Sequence, residues 1–184
     1  IKVKKLILLL FIPLISFTQP MSIDIIYPKN NIGINNWNIV NDDVMGGISS
    51  SNLTINDENN LIFSGYLSLE NNGGFASSRL SFDKETLTGV KYLKLKIKGD
   101  GNTYKLRLRQ DYRRVSYSCD FKSLKNKWIE ISLPIDNFKA TWRGYTYSDY
   151  TDLDIEKINS LGIQISDKQE GEFELEIKYI KAVY

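Results

Sequence analysis

The chain has 184 residues, with 24 Lys and Arg against 22 Asp and Glu, one Cys and no His. One Cys excludes an intramolecular disulfide and every multi-Cys metal site; the absence of His excludes Ser-His-Asp and Cys-His nucleophiles, His-ligated metals and imidazole acid–base chemistry. A formal charge of +2 is too small for a strongly basic nucleic-acid binder, and the length suits one domain that needs no disulfide or metal staple.

In chain order, Lys2, Lys4 and Lys5 precede the apolar run Leu6 to Ile15, followed by Ser16, Phe17, Thr18 and Gln19. A basic head, an apolar stretch and a short polar tail read as a secretory signal peptide over residues 1–19. The run is shorter than the roughly 20 residues that a membrane span needs, and Pro13 interrupts it. The product is therefore expected to be exported, periplasmic or extracellular, and cytoplasmic only if translation starts at Met21. Residues 20–184 form a single domain without an integral membrane segment, holding 21 basic against 22 acidic residues, net −1.

The next signal is Trp37-Asn38-Ile39-Val40-Asn41-Asp42-Asp43-Val44-Met45-Gly46-Gly47-Ile48-Ser49. Paired glycines before a β-branched residue suit a backbone at positive φ or in close approach to another strand. Asn41, Asp42 and Asp43 either cap turns through their side chains or supply oxygens to a hard cation such as calcium. Further on, Glu70-Asn71-Asn72-Gly73-Gly74-Phe75 lies between two strand-like runs and predicts a hairpin. No Lys-Ser/Thr pair or helix start follows it, so it is not a phosphate cradle.

From residue 93 onward, apolar residues alternate with charged ones. Leu93, Leu95 and Ile97 interleave with lysines, and Tyr104, Leu106 and Leu108 with Lys105, Arg107 and Arg109. Val115, Tyr117, Cys119 and Phe121 share one parity, as do Ile129, Ile131 and Leu133. Phe173, Leu175 and Ile177 alternate with Glu172, Glu174 and Glu176. Period two means one buried and one solvated face per strand. Turn signals at Gly99-Asp100-Gly101, Lys125-Asn126-Lys127 and Glu170-Gly171 separate the runs. The expectation is an all-β fold, an antiparallel β-sandwich or jelly roll. Leu153 to Ser160 predicts one or two helical turns, and Cys119 is a small buried hydrophobe on its strand's inward parity.

Charge is distributed in opposed blocks. Lys91 to Arg114 holds nine basic residues against two acids, net +7, and Asp149 to Glu176 holds nine acids against two lysines, net −7. On adjacent strands these make cross-strand ion pairs; alternatively the basic face is open to an anionic partner, with Arg107, Arg109 and Arg113 beside Tyr112 as its contacts. Trp142-Arg143-Gly144-Tyr145, with Tyr147 and Tyr150, is a polar aromatic segment that either anchors a sugar or protein partner or covers one end of the core. Trp37 and Trp128 read as packing residues.

Taken together, Trp37, Asn41-Asp42, Met45-Gly46-Gly47, Asn71-Asn72-Gly73-Gly74-Phe75, Gly99-Asp100-Gly101 and Arg143-Gly144 resemble the complex I intermediate-associated protein 30 family over nearly all of residues 35–184. The resemblance implies a galactose-binding-like β-sandwich in which these motif residues are structural. It also implies a role like that of the family's mitochondrial members, which are assembly factors for the respiratory NADH–ubiquinone oxidoreductase and not enzymes. For catalysis only carboxylates remain, and nothing pairs Asp42, Asp43, Glu70 or Asp100 as a glycosidase requires. The chain is expected to be a non-catalytic binder without cofactor or nucleic acid, taking a protein partner or, as the alternative, a carbohydrate.

Overall fold

Strands that alternate and turns that tolerate positive φ build two antiparallel sheets in the computed structural model, which describes residues 20–110 and 113–184. The leader expected over residues 1–19 and the candidate Tyr112 lie outside the described residues. The first sheet contains β1 (Ser22–Ile26), β3 (Ser50–Ile55), β4 (Leu61–Leu67), β6 (Tyr92–Gly99), β9 (Ile129–Pro134) and β13 (Gly171–Val183). Its order is β3-β4-β13-β6-β9, with β1 beside the far end of β13. The second contains β2 (Trp37–Ile39), β5 (Ala76–Ser81), β7 (Thr103–Gln110), β8 (Ser116–Lys122), β10 (Lys139–Trp142), β11 (Tyr145–Thr146) and β12 (Ile158–Ile165), in the order β11-β10-β8-β7-β12-β5-β2. This is the expected antiparallel β-sandwich.

The inward parities meet as one core. Tyr104 stacks on Phe121 with ring centroids 6.0 Å apart, and Phe63 meets Phe173 at 5.1 Å. Cys119 faces inward opposite Leu106, and burial pushes its thiol pKa up, as for a packing residue and not a nucleophile. In β13 a bulge between Ile177 and Tyr179 flips the parity, so Phe173, Leu175 and Ile177 point inward before it and Ile180 and Ala182 after it.

Two local expectations are corrected. Asn71-Asn72-Gly73-Gly74 is not a hairpin, because β4 and β5 belong to different sheets; the segment is a crossing that passes through a short 3-10 turn, with Asn71 and Asn72 at φ 54° and 61°. Left-handed Asn residues serve either kind of turn, so local sequence does not separate them. The helical turns expected over Leu153 to Ser160 reduce to one 3-10 turn, Ile155–Lys157, after which β12 begins. Leu161, Ile163 and Ile165 all point inward and carry that strand.

The +7 block divides between the sheets, since β6 lies in the first and β7 in the second. On the first sheet the lysines find acids. Lys94 meets Glu130 at 3.1 Å, and Lys98 pairs with Glu176 directly across the ladder. Glu176 is nearly fully buried and also accepts hydrogen bonds from Asn56 and Asn60, each at 2.8 Å. Burial alone would raise its carboxyl pKa, but the hydrogen bonds from Lys98, Asn60 and Asn56 outweigh that and hold it low.

Glu176→Gln should therefore cost about 1–2 kcal/mol in denaturant unfolding at neutral pH. Because the folded carboxyl titrates below its unfolded value, its contribution is present above the unfolded pKa and is lost as pH falls through the folded one. Wild type and variant should thus converge on acidification.

Candidate functional site

The two glycine-rich motifs meet at one carboxylate. After β2 the backbone stays beside β5, with the Val40 amide donating to the Ser77 carbonyl at 2.9 Å, and then turns through Asp42–Met45. Asp42 is fully buried. Its Oδ1 accepts from the Ser49 amide at 2.9 Å; its Oδ2 accepts from Ser49 Oγ at 2.5 Å, the Gly74 amide at 2.7 Å and the Phe75 amide at 3.2 Å. Asn41 Oδ1 adds bonds from Ser51 Oγ at 2.7 Å and the Ser77 amide at 3.2 Å. Burial pushes the Asp42 carboxyl up, and the donors from Ser49, Gly74 and Phe75 more than reverse it, leaving it below the usual carboxylate range. Gly47 and Gly73 are required here: a Cβ on Gly47 would strike the Asp42 carboxylate, and one on Gly73 would sit 2.8 Å from Oδ2. Asn41 and Asp42 do not cap their own turn; their side-chain oxygens accept from Ser49, Ser51, Gly74, Phe75 and Ser77 on other segments. N–H and O–H donors fill the Asp42 oxygens, and among the described residues no group of three or more His, Cys, Asp or Glu is placed to hold a metal.

A second knot occupies Gly99-Asp100-Gly101, where the chain crosses from β6 to β7. Asp100 Oδ2 accepts from Tyr104 Oη at 2.8 Å and the Glu174 amide at 2.9 Å, and Oδ1 from the Asn102 amide at 2.8 Å. Asp42 and Asp100 thus each tie a turn to neighbouring strands through their hydrogen bonds.

The outer face of the second sheet is different. Register places Arg79, Gly162 and Arg107 side by side on β5, β12 and β7, with Arg109 two residues along β7 opposite Ser160. Arg107 donates through Nε to Ser116 Oγ at 3.0 Å and through Nη1 to Gln164 Oε1 at 2.5 Å, both neutral acceptors. No ion pair of Arg79, Arg107 or Arg109 is found among the described residues. Lys105, on the same face, is by contrast held between Asp120 at 3.0 Å and Asp167 at 2.7 Å. Burial first, then the charges of Arg109 and Arg79, push the Arg107 guanidinium down to about 9; burial and Arg79 push Arg109 down to about 10. All remain cationic at neutral pH.

Of the other sequence candidates, Arg113 is exposed beyond the end of β7. Trp142 and Arg143 sit at the β10–β11 hairpin, where Arg143 and Gly144 take φ 49° and 80° as a two-residue turn and the guanidinium stacks 5.0 Å above the indole. Tyr145 is 72% exposed there, whereas Tyr150 packs inward on the core near Tyr117. Trp37 packs on the core as expected; Trp128 instead lies half-buried beneath Lys98. Sequence reasoning missed Arg79, though the alternation of Ala76, Ser78 and Leu80 with Ser77, Arg79 and Ser81 carries the strand signal.

The model of the complex I intermediate-associated protein 30 family matches residues 23–177. The chain is 28% identical over 156 residues to a probable complex I intermediate-associated protein 30, mitochondrial, of Caenorhabditis briggsae, covering 73% of this chain and 46% of that protein. It is 30% identical over 101 residues to the Mus musculus mitochondrial protein of that name, covering 48% of this chain and 29% of that one. The chain thus spans half or less of these relatives' length. Among solved structures, it resembles the family 11 carbohydrate-binding module of a cellulosomal cellulase of Clostridium thermocellum, with TM-score 0.65, 15% identity, and coverage of 91% of this chain and 96% of that one. That likeness confirms the sandwich. The mitochondrial relatives overturn the expected exported, periplasmic or extracellular location. Among the described residues no helix is long and apolar enough to cross a membrane.

Asp42→Asn turns an acceptor into an N–H donor facing other donors, and should cost about 2–3 kcal/mol in urea unfolding at pH 7. The folded Asp42 pKa is depressed, so its stabilisation exists above the unfolded carboxyl value and disappears as pH falls through the folded one. The deficit of the variant should shrink below about pH 4.

Proposed function

This chain belongs to the complex I intermediate-associated protein 30 family, and from that membership we propose that it is a non-catalytic binding module that engages partly assembled respiratory NADH–ubiquinone oxidoreductase. The observation that carries the reading is what the Asp42 knot holds up. Val44, Met45 and Ile48 stand 68%, 50% and 54% exposed on a loop whose backbone is tied down at both ends. Apolar side chains on a pre-ordered loop lose little freedom on docking, and Met adapts to a partner's contour. Asp42 and Asp100, two of the carboxylates available for hydrolysis, are instead occupied by backbone and side-chain donors, which supports the non-catalytic reading.

Exposed Tyr145 beside Trp142 favours a second reading, carbohydrate binding at the β10–β11 hairpin. A glycan array with the unmodified chain and Trp142→Ala tests it, and a blank array removes it.

Replacing Val44 and Met45 together by Ser should leave the melting temperature unchanged, since both side chains are exposed. It should reduce several-fold the respiratory subunits captured by the tagged full chain from its native cells after cross-linking, read by mass spectrometry. Undiminished capture by the double variant would sink the apolar-tip assignment, and no such subunits with either protein would sink the assembly role.

A further inference from the structure

The outer face of β5, β12 and β7 contains three arginines without a counter-charge, and we propose that Arg79, Arg107 and Arg109 form a binding site for a phosphate group. Four observations converge on it. All three side chains, with Gly162 between them in register, line one shallow depression on this face. Neighbouring strands lie about 4.8 Å apart, so Arg79 and Arg107 flank Gly162 from two strand spacings, about 10 Å, apart. A side chain on Gly162 would project into the gap between them; its absence keeps the gap open. No carboxylate pairs with any of the three among the described residues, although the same face gives Lys105 two. Arg107 is meanwhile aimed by Ser116 and Gln164, neutral groups that orient a guanidinium without discharging it.

The chemistry selects the ligand. Three forks present more donors than the two oxygens of a lone carboxylate accept, and their summed charge exceeds its single negative charge; a phosphate matches both better. A neutral sugar would look for a flat aromatic surface, and the outward positions of these three strands, among them Ser77, Ser160 and Gln164, carry none. Three partly desolvated cations held close also repel one another, so an arriving anion relieves repulsion as well as making hydrogen bonds. The phosphate is supplied either by a soluble phosphate compound or by a phospholipid headgroup. The site uses no residue of the Val44–Met45 tip, so it stands or falls apart from the assembly reading.

The test uses the full chain, with inorganic pyrophosphate titrated calorimetrically and phosphatidylglycerol vesicles offered in a flotation assay, both at about 0.15 M salt. At least one probe should bind saturably; pyrophosphate alone indicates a soluble ligand, and vesicles alone indicate a headgroup. Arg79→Gln and Arg109→Gln should each weaken that binding by about tenfold or more. Their unliganded melting temperatures should equal or exceed that of the unmodified protein, because each removes repulsion and no hydrogen bond of either side chain is found among the described residues. Binding of neither probe, equal affinity in both variants, or a lower unliganded melting temperature in both would overturn the proposal.

Discussion

The buried carboxylate of Asp42 is the constraint on which one end of this sandwich depends. Four hydrogen bonds converge on it from Ser49, Gly74 and Phe75, joining the crossing between the sheets to the loop that enters β3. A buried carboxylate without donors is expensive, so the loops that supply those donors form together or not at all. Asp100 performs the same service at the β6–β7 crossing, where it also receives the hydroxyl of core Tyr104 and the Glu174 amide of β13. Each knot couples a turn to both sheets. The glycines around them then follow from space: Gly47 and Gly73 lie against Asp42, leaving no room for a side chain.

Val44, Met45 and Ile48 are exposed on a loop whose Gly46, Gly47 and Ser49 amides donate to Asp43 and Asp42. Elsewhere charge does the organising. The two strands of the basic block carry the same alternation, yet they meet opposite environments. Lysines of β6 lie opposite Glu130 and Glu176 and are neutralised there. Arginines of β7 lie between a glycine-and-serine row on β12 and a serine row on β8, joined by Arg79 across β12 and by no acid among the described residues. Within the basic block, Lys94, Lys98 and Lys105 are thus paired with acids, whereas Arg107 and Arg109 meet none among the described residues.

Much of the fold was legible beforehand. The strands β6, β7, β8, β9 and the first half of β13 follow from period-two alternation, and each is found within a residue or two of its pattern. The motif blocks around Asp42, Gly73 and Asp100 stand out in the sequence, but the hydrogen bonds that join them to distant segments are visible only in the fold. Strand β12 was missed because Leu153 to Ser160 contains a charged, helix-compatible stretch that masks the alternation of Leu161, Ile163 and Ile165. Of the candidate contacts, Arg107 and Arg109 share β7, whereas Arg113 lies beyond its end and Trp142 and Arg143 lie at the β10–β11 hairpin.

Alternation along a chain dictates which side chains share a face, because successive residues of a strand point opposite ways whatever lies beside them. The absence of His, the lone Cys and the inward parity of the core were accordingly readable from the residues alone. Which strands become neighbours depends on contacts between residues distant in sequence, and no local pattern encodes it. Only the assembled sheets bring Arg79 to Arg107 across Gly162, set Glu176 against Lys98, and turn Asn71-Asn72-Gly73-Gly74 into a crossing that closes on Asp42.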